Sequence, residues 1–324
     1  MNALKIFSDS PLGPTDRQLL LDGSAPHEIL FPKKAVTSVL GTPEPDPLFA
    51  EADVAFGQPD LESIARSERL KWIQVSSAGF TRYDTPEFRS LVKERGIIVT
   101  NSSSVYAEAC ADHVFAFMLA NSRRLPQALA SQAANASPEW FQLRGDSVSL
   151  RGQSVVILGF GTIALELVKL LTPFDMKITA MRRTPRGDEG FPVVTPDELP
   201  AALATADHVI NILPENASSL KFMNSARFAE MKQGAIFHNI GRGTTVDQTA
   251  LLESLRSGHL AAAWLDVTDP EPLPAEHPLR HEPNCHITPH IAGGHANEAV
   301  TLVRHFLKNL HRYLEGSPLL NRII

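Results

Sequence analysis

Short apolar runs alternate along the chain with longer stretches in which apolar positions return every three or four residues. That alternation predicts a parallel β-sheet covered by helices on both faces, because such strands are buried on two sides and their helices on one. Strands are predicted at Leu4–Phe7, Asp53–Phe56, Trp72–Val75 and Ile97–Val99 in the first part of the chain. A second series follows at Val155–Leu158, Lys177–Met181, His208–Leu213, Ala235–Asn239, Ala261–Asp266 and His286–Thr288. Helical spacing is clearest in Thr162–Leu171, Asp247–Arg256 and Asn297–Leu314. In the middle one, Asp247 is placed to cap the first turn, Leu251, Leu252 and Leu255 form an inner stripe, and Gly258 ends it. Between the two series, Pro126–Gly152 is largely polar and reads as a surface connection anchored by Trp140 and Phe141.

Composition fits two globular domains: 324 residues, 43% hydrophobic and 20% charged. A net charge of −6 gives no overall attraction for nucleic acid or anionic lipid, so neither is expected as a partner. An anionic ligand must then be captured by individually placed cations. No stretch is long and apolar enough to cross a membrane, and Met1–Gly13 lacks the apolar core of a secretion signal. With only Cys110 and Cys285, far apart, a reducing cytoplasm is the expected setting.

The run Val155–Leu158 leads directly into Gly159-Phe160-Gly161-Thr162-Ile163-Ala164. In this spacing the first glycine permits a tight turn, the second lets the backbone approach a pyrophosphate, and the alanine lets the helix lie close to the strand. Phosphates would then meet the helix N-terminus at Thr162 and Ile163. The next strand ends in Arg182-Arg183-Thr184, where an NAD-preferring protein usually has an acidic residue. A carboxylate about 4 Å from a 2′-phosphate would repel it by about 4 kcal/mol at an effective dielectric of about 20, whereas a guanidinium attracts it comparably. The expected cofactor is therefore NADP(H), with NAD(H) as the alternative.

Three later motifs bring chemistry: Ile240-Gly241-Arg242-Gly243, Pro270-Glu271-Pro272 and Thr288-Pro289-His290. Reduction of a 2-keto acid puts negative charge on the carbonyl oxygen, which calls for a proton donor and a nearby cation. His290 suits the first role, since imidazole titrates near neutrality, and a Glu271 carboxylate on its far nitrogen would favour the protonated ring and orient it. Arg242 suits the second, its planar fork binding the substrate carboxylate. In Ser76-Ser77-Ala78-Gly79-Phe80, small residues after a strand expose backbone N–H groups that can hold a carboxylate. His281, Cys285, His286, His290 and His295 are rich in ligand atoms but lack the tight paired spacing of zinc sites, so no metal is expected.

Taken together, these motifs resemble the D-isomer-specific 2-hydroxyacid dehydrogenase family over about Trp72 to His295. The resemblance implies two doubly wound α/β domains, a Rossmann dinucleotide-binding domain (residues 104–290) inserted into a flavodoxin-like substrate domain (1–103 and 291–324). Ligands would bind in the cleft that this double crossing implies. It further implies that Leu213, Pro214, Ile240, Gly241, Arg242 and His290 line the cofactor, that Asp266 holds the nicotinamide amide, and that Ala78 and Gly79 grip the substrate acid with Phe80 as a wall. The implied activity is hydride transfer between NADP(H) and a small 2-keto or 2-hydroxy acid, glyoxylate or hydroxypyruvate foremost, in a homodimer. The alternatives are a dehydrogenase of bulkier 2-hydroxy acids and a non-catalytic NAD(P)-sensing or corepressor-like protein. Tyr106 and Trp264 are larger than the residues expected at their positions and bear on substrate size.

Overall fold

A computed structural model describes residues 3–33, 43–133 and 140–324. It separates the chain into two compact units, Met1–Tyr106 with His295–Ile324, and Ala107–Gly294. The first boundary falls inside helix Ser103–Ser122, a few residues beyond the crossing expected at 104. A helix that runs on unbroken leaves no turn residue to mark the place.

The first unit is built on strands β1 (Lys5–Ser8), β2 (Glu28–Leu30), β3 (Val54–Gly57), β4 (Trp72–Val75) and β5 (Ile98–Thr100). All pair in parallel in the order β2-β1-β3-β4-β5, the flavodoxin-like arrangement. Every residue of β3 and β4 is buried, which is why those segments are apolar but for Gln74. The C-terminal helix, Glu298–Leu314, completes this core: Phe306 stacks on Phe56 at 4.4 Å and on Trp72 at 5.3 Å. Asn309 Nδ2 donates to Gln74 Oε1 at 2.8 Å.

The second unit carries seven parallel strands: β6 (Ser154–Leu158), β7 (Lys177–Met181), β8 (Val193–Val194), β9 (His208–Asn211), β10 (Ala235–Asn239), β11 (Leu260–Leu265) and β12 (Cys285–Ile287). Their order, β12-β11-β10-β9-β6-β7-β8, reverses direction between β6 and β9. Open α/β sheets bind their ligands outside the carboxyl ends of the strands at such a switch point. Helix Thr162–Leu171 follows β6 with the predicted limits, and Asp247 caps Gln248–Arg256 by accepting from the N–H of Thr249 and Ala250 at 3.1 and 3.3 Å.

Pro126–Gly152 departs from expectation. It is not a bare connection, since its described part contains helices Leu125–Ala133 and Trp140–Asp146. Nor are its aromatics anchors: Trp140 is 54% and Phe141 84% exposed.

A buried histidine pair links β9 to β10. His208 Nδ1 lies 3.1 Å from His238 Nε2, and its Nε2 lies 2.8 Å from Gln153 Oε1. Burial lowers the His208 imidazole to about 4, the Asp207 carboxylate only partly opposing it, and lowers His238 well below the ordinary 6.5. Both rings bind protons more weakly folded than unfolded, so stability is full above the unfolded value and is lost as pH falls from about 6.5 toward 4. For His208 alone this is about 3 kcal/mol at pH 4. Thermal melts from pH 7.5 to 4.5 should show that decline, and the double substitution His208→Gln, His238→Gln should flatten it. An equal slope in the variant would refute the assignment.

Candidate active site

Arg242, Asp266 and His290 follow β10, β11 and β12, three neighbouring strands whose carboxyl ends lie on one edge of the second sheet. Adjacent strands are about 4.8 Å apart, so the outer two loops stand roughly 10 Å apart, a gap that a long arginine and a small acid can span. The Arg242 backbone is held on its carbonyl, which accepts from Asn239 Nδ2 at 3.1 Å and Thr245 Oγ1 at 2.6 Å. Gly243 packs so tightly that a Cβ would sit 2.0 Å from the Thr268 carbonyl carbon. Only glycine fits there, and this contact ties the Arg242 turn to the segment leading to Glu271. The half-buried guanidinium donates to the Gly241 carbonyl at 2.7 Å, and no carboxylate among the described residues pairs with it. A partly desolvated cation without a counter-ion is suited to an anionic guest.

His290 Nδ1 meets Glu271 Oε1 at 2.5 Å, so this predicted pair is formed and the ring's Nε2 is left for other chemistry. The His290 backbone is left-handed, with φ of 53°, an uncommon conformation for a side-chain-bearing residue. Its surroundings enforce it. The His290 N–H donates to the Asp266 carbonyl at 2.9 Å, and the N–H groups of Ile291 and Ala292 each donate to the Asp266 carboxylate at 2.9 Å. Thr288 Oγ1 donates to the same carboxylate at 2.6 Å, and His113 Nε2 lies 3.2 Å from that hydroxyl. Asp266, almost wholly buried, thus braces the histidine turn by accepting three hydrogen bonds, with His113 Nε2 a further 3.6 Å from Oδ1. Burial lowers the His113 imidazole, with Asp266 opposing, so the ring beneath Thr288 tends to be neutral.

At the switch point, Gly159 has φ of 91°, which only glycine adopts readily, and Gly161 precedes a helix whose first turn has no side-chain cap. The N–H groups at Thr162 and Ile163 are therefore open to phosphate. Beside them lies a cavity of about 450 Å³ lined by Gly159, Phe160, Arg182, Arg183, Thr184, Leu213 and Pro214, among others. This cradle fits an adenine dinucleotide. Of the two arginines, Arg182 is committed to Glu189 at 3.0 Å, whereas Arg183 is exposed and has no partner among the described residues.

In the first unit, the carbonyls of Ser76 to Gly79 are all engaged. They accept, in order, from Tyr106 Oη at 2.9 Å, the Ser102 N–H at 3.0 Å, Asn101 Nδ2 at 2.7 Å and Ser77 Oγ at 2.5 Å. The N–H groups of Ser77, Ala78 and Gly79 have no partner among the described residues. Such a loop is an anion nest with its acceptors turned away. Gln58 steadies it by donating to Ser77 Oγ at 2.9 Å, while its own N–H bonds Asp9, whose carboxyl burial pushes up to about 6. Phe80 is half-buried and packs against the apolar core of this unit.

The two oversized residues are both accommodated away from open space. Tyr106 is buried and holds the Ser76 carbonyl, and Trp264 lies between Phe117 at 4.8 Å and His286 at 4.2 Å, its indole N–H on Asn121. Sequence reasoning missed Asn239, Thr288, His113, Asn101 and Glu189. Each acts through a tertiary hydrogen bond that no periodicity or local motif announces.

Residues 115–292 match the sequence profile of the D-isomer specific 2-hydroxyacid dehydrogenase NAD binding domain. The chain is 31% identical over 276 residues to glyoxylate/hydroxypyruvate reductase B of Citrobacter koseri, covering 83% of each protein. It is 32% identical over 261 residues to the human glyoxylate reductase/hydroxypyruvate reductase, covering 79% of this chain and 77% of the human one. Among solved structures, a D-isomer specific 2-hydroxyacid dehydrogenase from Xanthobacter autotrophicus in complex with NADPH and MES superposes with a TM-score of 0.82 at 25% identity, covering 100% of this chain and 98% of that one. An NADPH-dependent glyoxylate/hydroxypyruvate reductase from Sinorhizobium meliloti, in complex with NADP and malonate, gives 0.73 at 26%, covering 99% and 97%. The chain therefore belongs to the D-isomer specific 2-hydroxyacid dehydrogenase family. It is an NAD(P)-dependent oxidoreductase of the hydride-transfer class, with a parallel α/β fold in both units.

Proposed function

We propose that this protein reduces a small 2-keto acid, glyoxylate or hydroxypyruvate, to the D-2-hydroxy acid with NADPH. The observation that carries the reading is the His290–Glu271 bond at the end of β12, on the same sheet edge as an Arg242 guanidinium that has no carboxylate partner among the described residues. The nicotinamide, when bound, supplies the hydride. Arg242 binds the substrate carboxylate and polarises the adjacent carbonyl, and the free N–H groups of Ala78 and Gly79 take the acid's other oxygen. His290, held by Glu271, delivers a proton from Nε2 to the carbonyl oxygen and, in the oxidative direction, removes it. Asp266 keeps the turn that carries the ring and accepts from the cofactor amide. The intact set of ionisable groups favours catalysis over a sensing or corepressor role.

The preference for NADPH rests on Arg183 and Thr184 at the cavity rim and on the absence of a carboxylate immediately after β7. The relatives named as glyoxylate/hydroxypyruvate reductases support the substrate class. An NADPH-oxidation assay over a panel of 2-keto acids should give its highest kcat/KM for glyoxylate or hydroxypyruvate and at least a tenfold advantage over NADH. Preference for NADH, or for branched or aromatic acids, would refute the finer assignment.

The reading extends to a cytoplasmic homodimer. Among the described residues, Cys110 and Cys285 are unpaired, and burial pushes both thiols up to about 12, which disfavours the reactive thiolate. Leu125, Leu129, Trp140 and Phe141 expose apolar surface within one short stretch, and a second copy of the chain would cover it. Light scattering should give twice the chain mass of 35.4 kDa, and a monomeric mass would contradict the dimer.

A further inference from the structure

The loop after β7 contains a carboxylate that hydride transfer does not use. Glu189 Oε1 accepts from Arg182 Nη1 at 3.0 Å and from the Arg186 N–H at 2.8 Å, and its Oε2 accepts from the Gly187 N–H at 2.8 Å. The carboxylate is only 4% exposed, although it belongs to a surface loop. These N–H groups, that of Arg186 foremost, hold its carboxyl below the usual carboxylate range, so the contact persists through ordinary pH. Two residues on, Phe191 packs edge-on at 5.2 Å against Phe160 of the glycine fingerprint, a residue that lines the cofactor cavity, which ties the far end of the loop to the fingerprint. Closing the loop in this way consumes the charge of Arg182. Arg183 and Thr184, which also line the cavity, are left exposed with no partner among the described residues.

We infer that Glu189 is a positioning residue for cofactor selectivity: it fastens the loop so that Arg183 and Thr184, rather than Arg182, receive the 2′-phosphate of NADP(H). This rests on the NADP(H) reading above and divides its labour among residues. A flexible loop would have to be ordered each time the phosphate bound, and ordering long side chains costs binding free energy. A loop already held by three charge-assisted hydrogen bonds has met that cost during folding. The opposite arrangement is physically reasonable and is what the test must distinguish: if Arg182 were the phosphate ligand, Glu189 would compete with the phosphate, and removing it would tighten NADP binding.

The test is titration calorimetry on the purified full chain with NADP and NAD, and with 2′,5′-ADP and 5′-AMP as fragments, none of which requires turnover. Glu189→Gln should raise the Kd for NADP and 2′,5′-ADP about tenfold and leave NAD and 5′-AMP within about twofold. Arg183→Ala should cause at least as large a loss, confined to the phosphorylated ligands. Arg182→Ala should only reproduce the Glu189→Gln effect. Unchanged or tighter NADP binding in Glu189→Gln, or an equal loss for NAD, overturns the inference while leaving the NADP(H) reading intact. A wild-type chain that binds NAD as tightly as NADP overturns both.

Discussion

Replacing His290 by glutamine is expected to lower kcat for keto-acid reduction by about a thousandfold with KM changed by less than about threefold. Glutamine keeps a polar group of similar reach but has no proton to give at neutral pH. The carbonyl oxygen must then take its proton from water while full negative charge develops, and general acids at such positions contribute about 10²–10⁴ in rate. A thousandfold is about 4 kcal/mol of transition-state stabilisation. The left-handed backbone at position 290 and the three donors on Asp266 hold the turn independently of the ring, so the variant should fold normally. A melting temperature within about 2 °C of wild type would establish that, and a kcat within tenfold of wild type would remove His290 from the role of proton donor.

Arg242→Ala should lose on the order of a thousandfold in kcat/KM, much of it as weaker substrate binding. In the proposed mechanism the guanidinium would do two things at once, pairing with the substrate carboxylate and stabilising the oxygen that becomes negative. Arg242→Lys should recover only part of the loss, because an ammonium is a point charge that cannot form two parallel hydrogen bonds to a carboxylate. Steady-state kinetics on glyoxylate and hydroxypyruvate would measure both. If lysine restored full activity, charge alone would be sufficient and the bidentate geometry would be wrong. The Gly241 carbonyl that now accepts from Arg242 Nη1 would be released on substrate binding or shared with it.

How far these residues could be read beforehand differs by element. Helix Thr162–Leu171 emerges with its predicted limits because a glycine precedes it, one face is apolar, and its turn is dictated by the nucleotide fingerprint. Helix Ser103–Ser122 was invisible to the same reasoning, since its apolar residues are spread around all faces and leave no 3.6-residue rhythm. The edge strands β2 and β8 are too short, at three and two residues, to alternate at all. The residues proposed to react were legible as residue types at strand ends, and the His290–Glu271 contact forms as those types suggest. What supports them was not legible. The three donors that converge on Asp266, the four carbonyl contacts behind the Ala78–Gly79 loop and the Glu189 latch join residues whose proximity exists only after folding. Arg182 illustrates the limit well, since its position implied a phosphate ligand while its side chain is already engaged.

One structure would test the central claim directly: a crystal of the full chain grown with NADPH and an unreactive 2-keto acid analogue such as oxamate. The expected result has the analogue's carboxylate on the Arg242 guanidinium and the Ala78 and Gly79 N–H groups, and its carbonyl oxygen within about 3 Å of His290 Nε2. An analogue bound with its carbonyl far from that nitrogen, or with its acid held by other residues, would contradict the account.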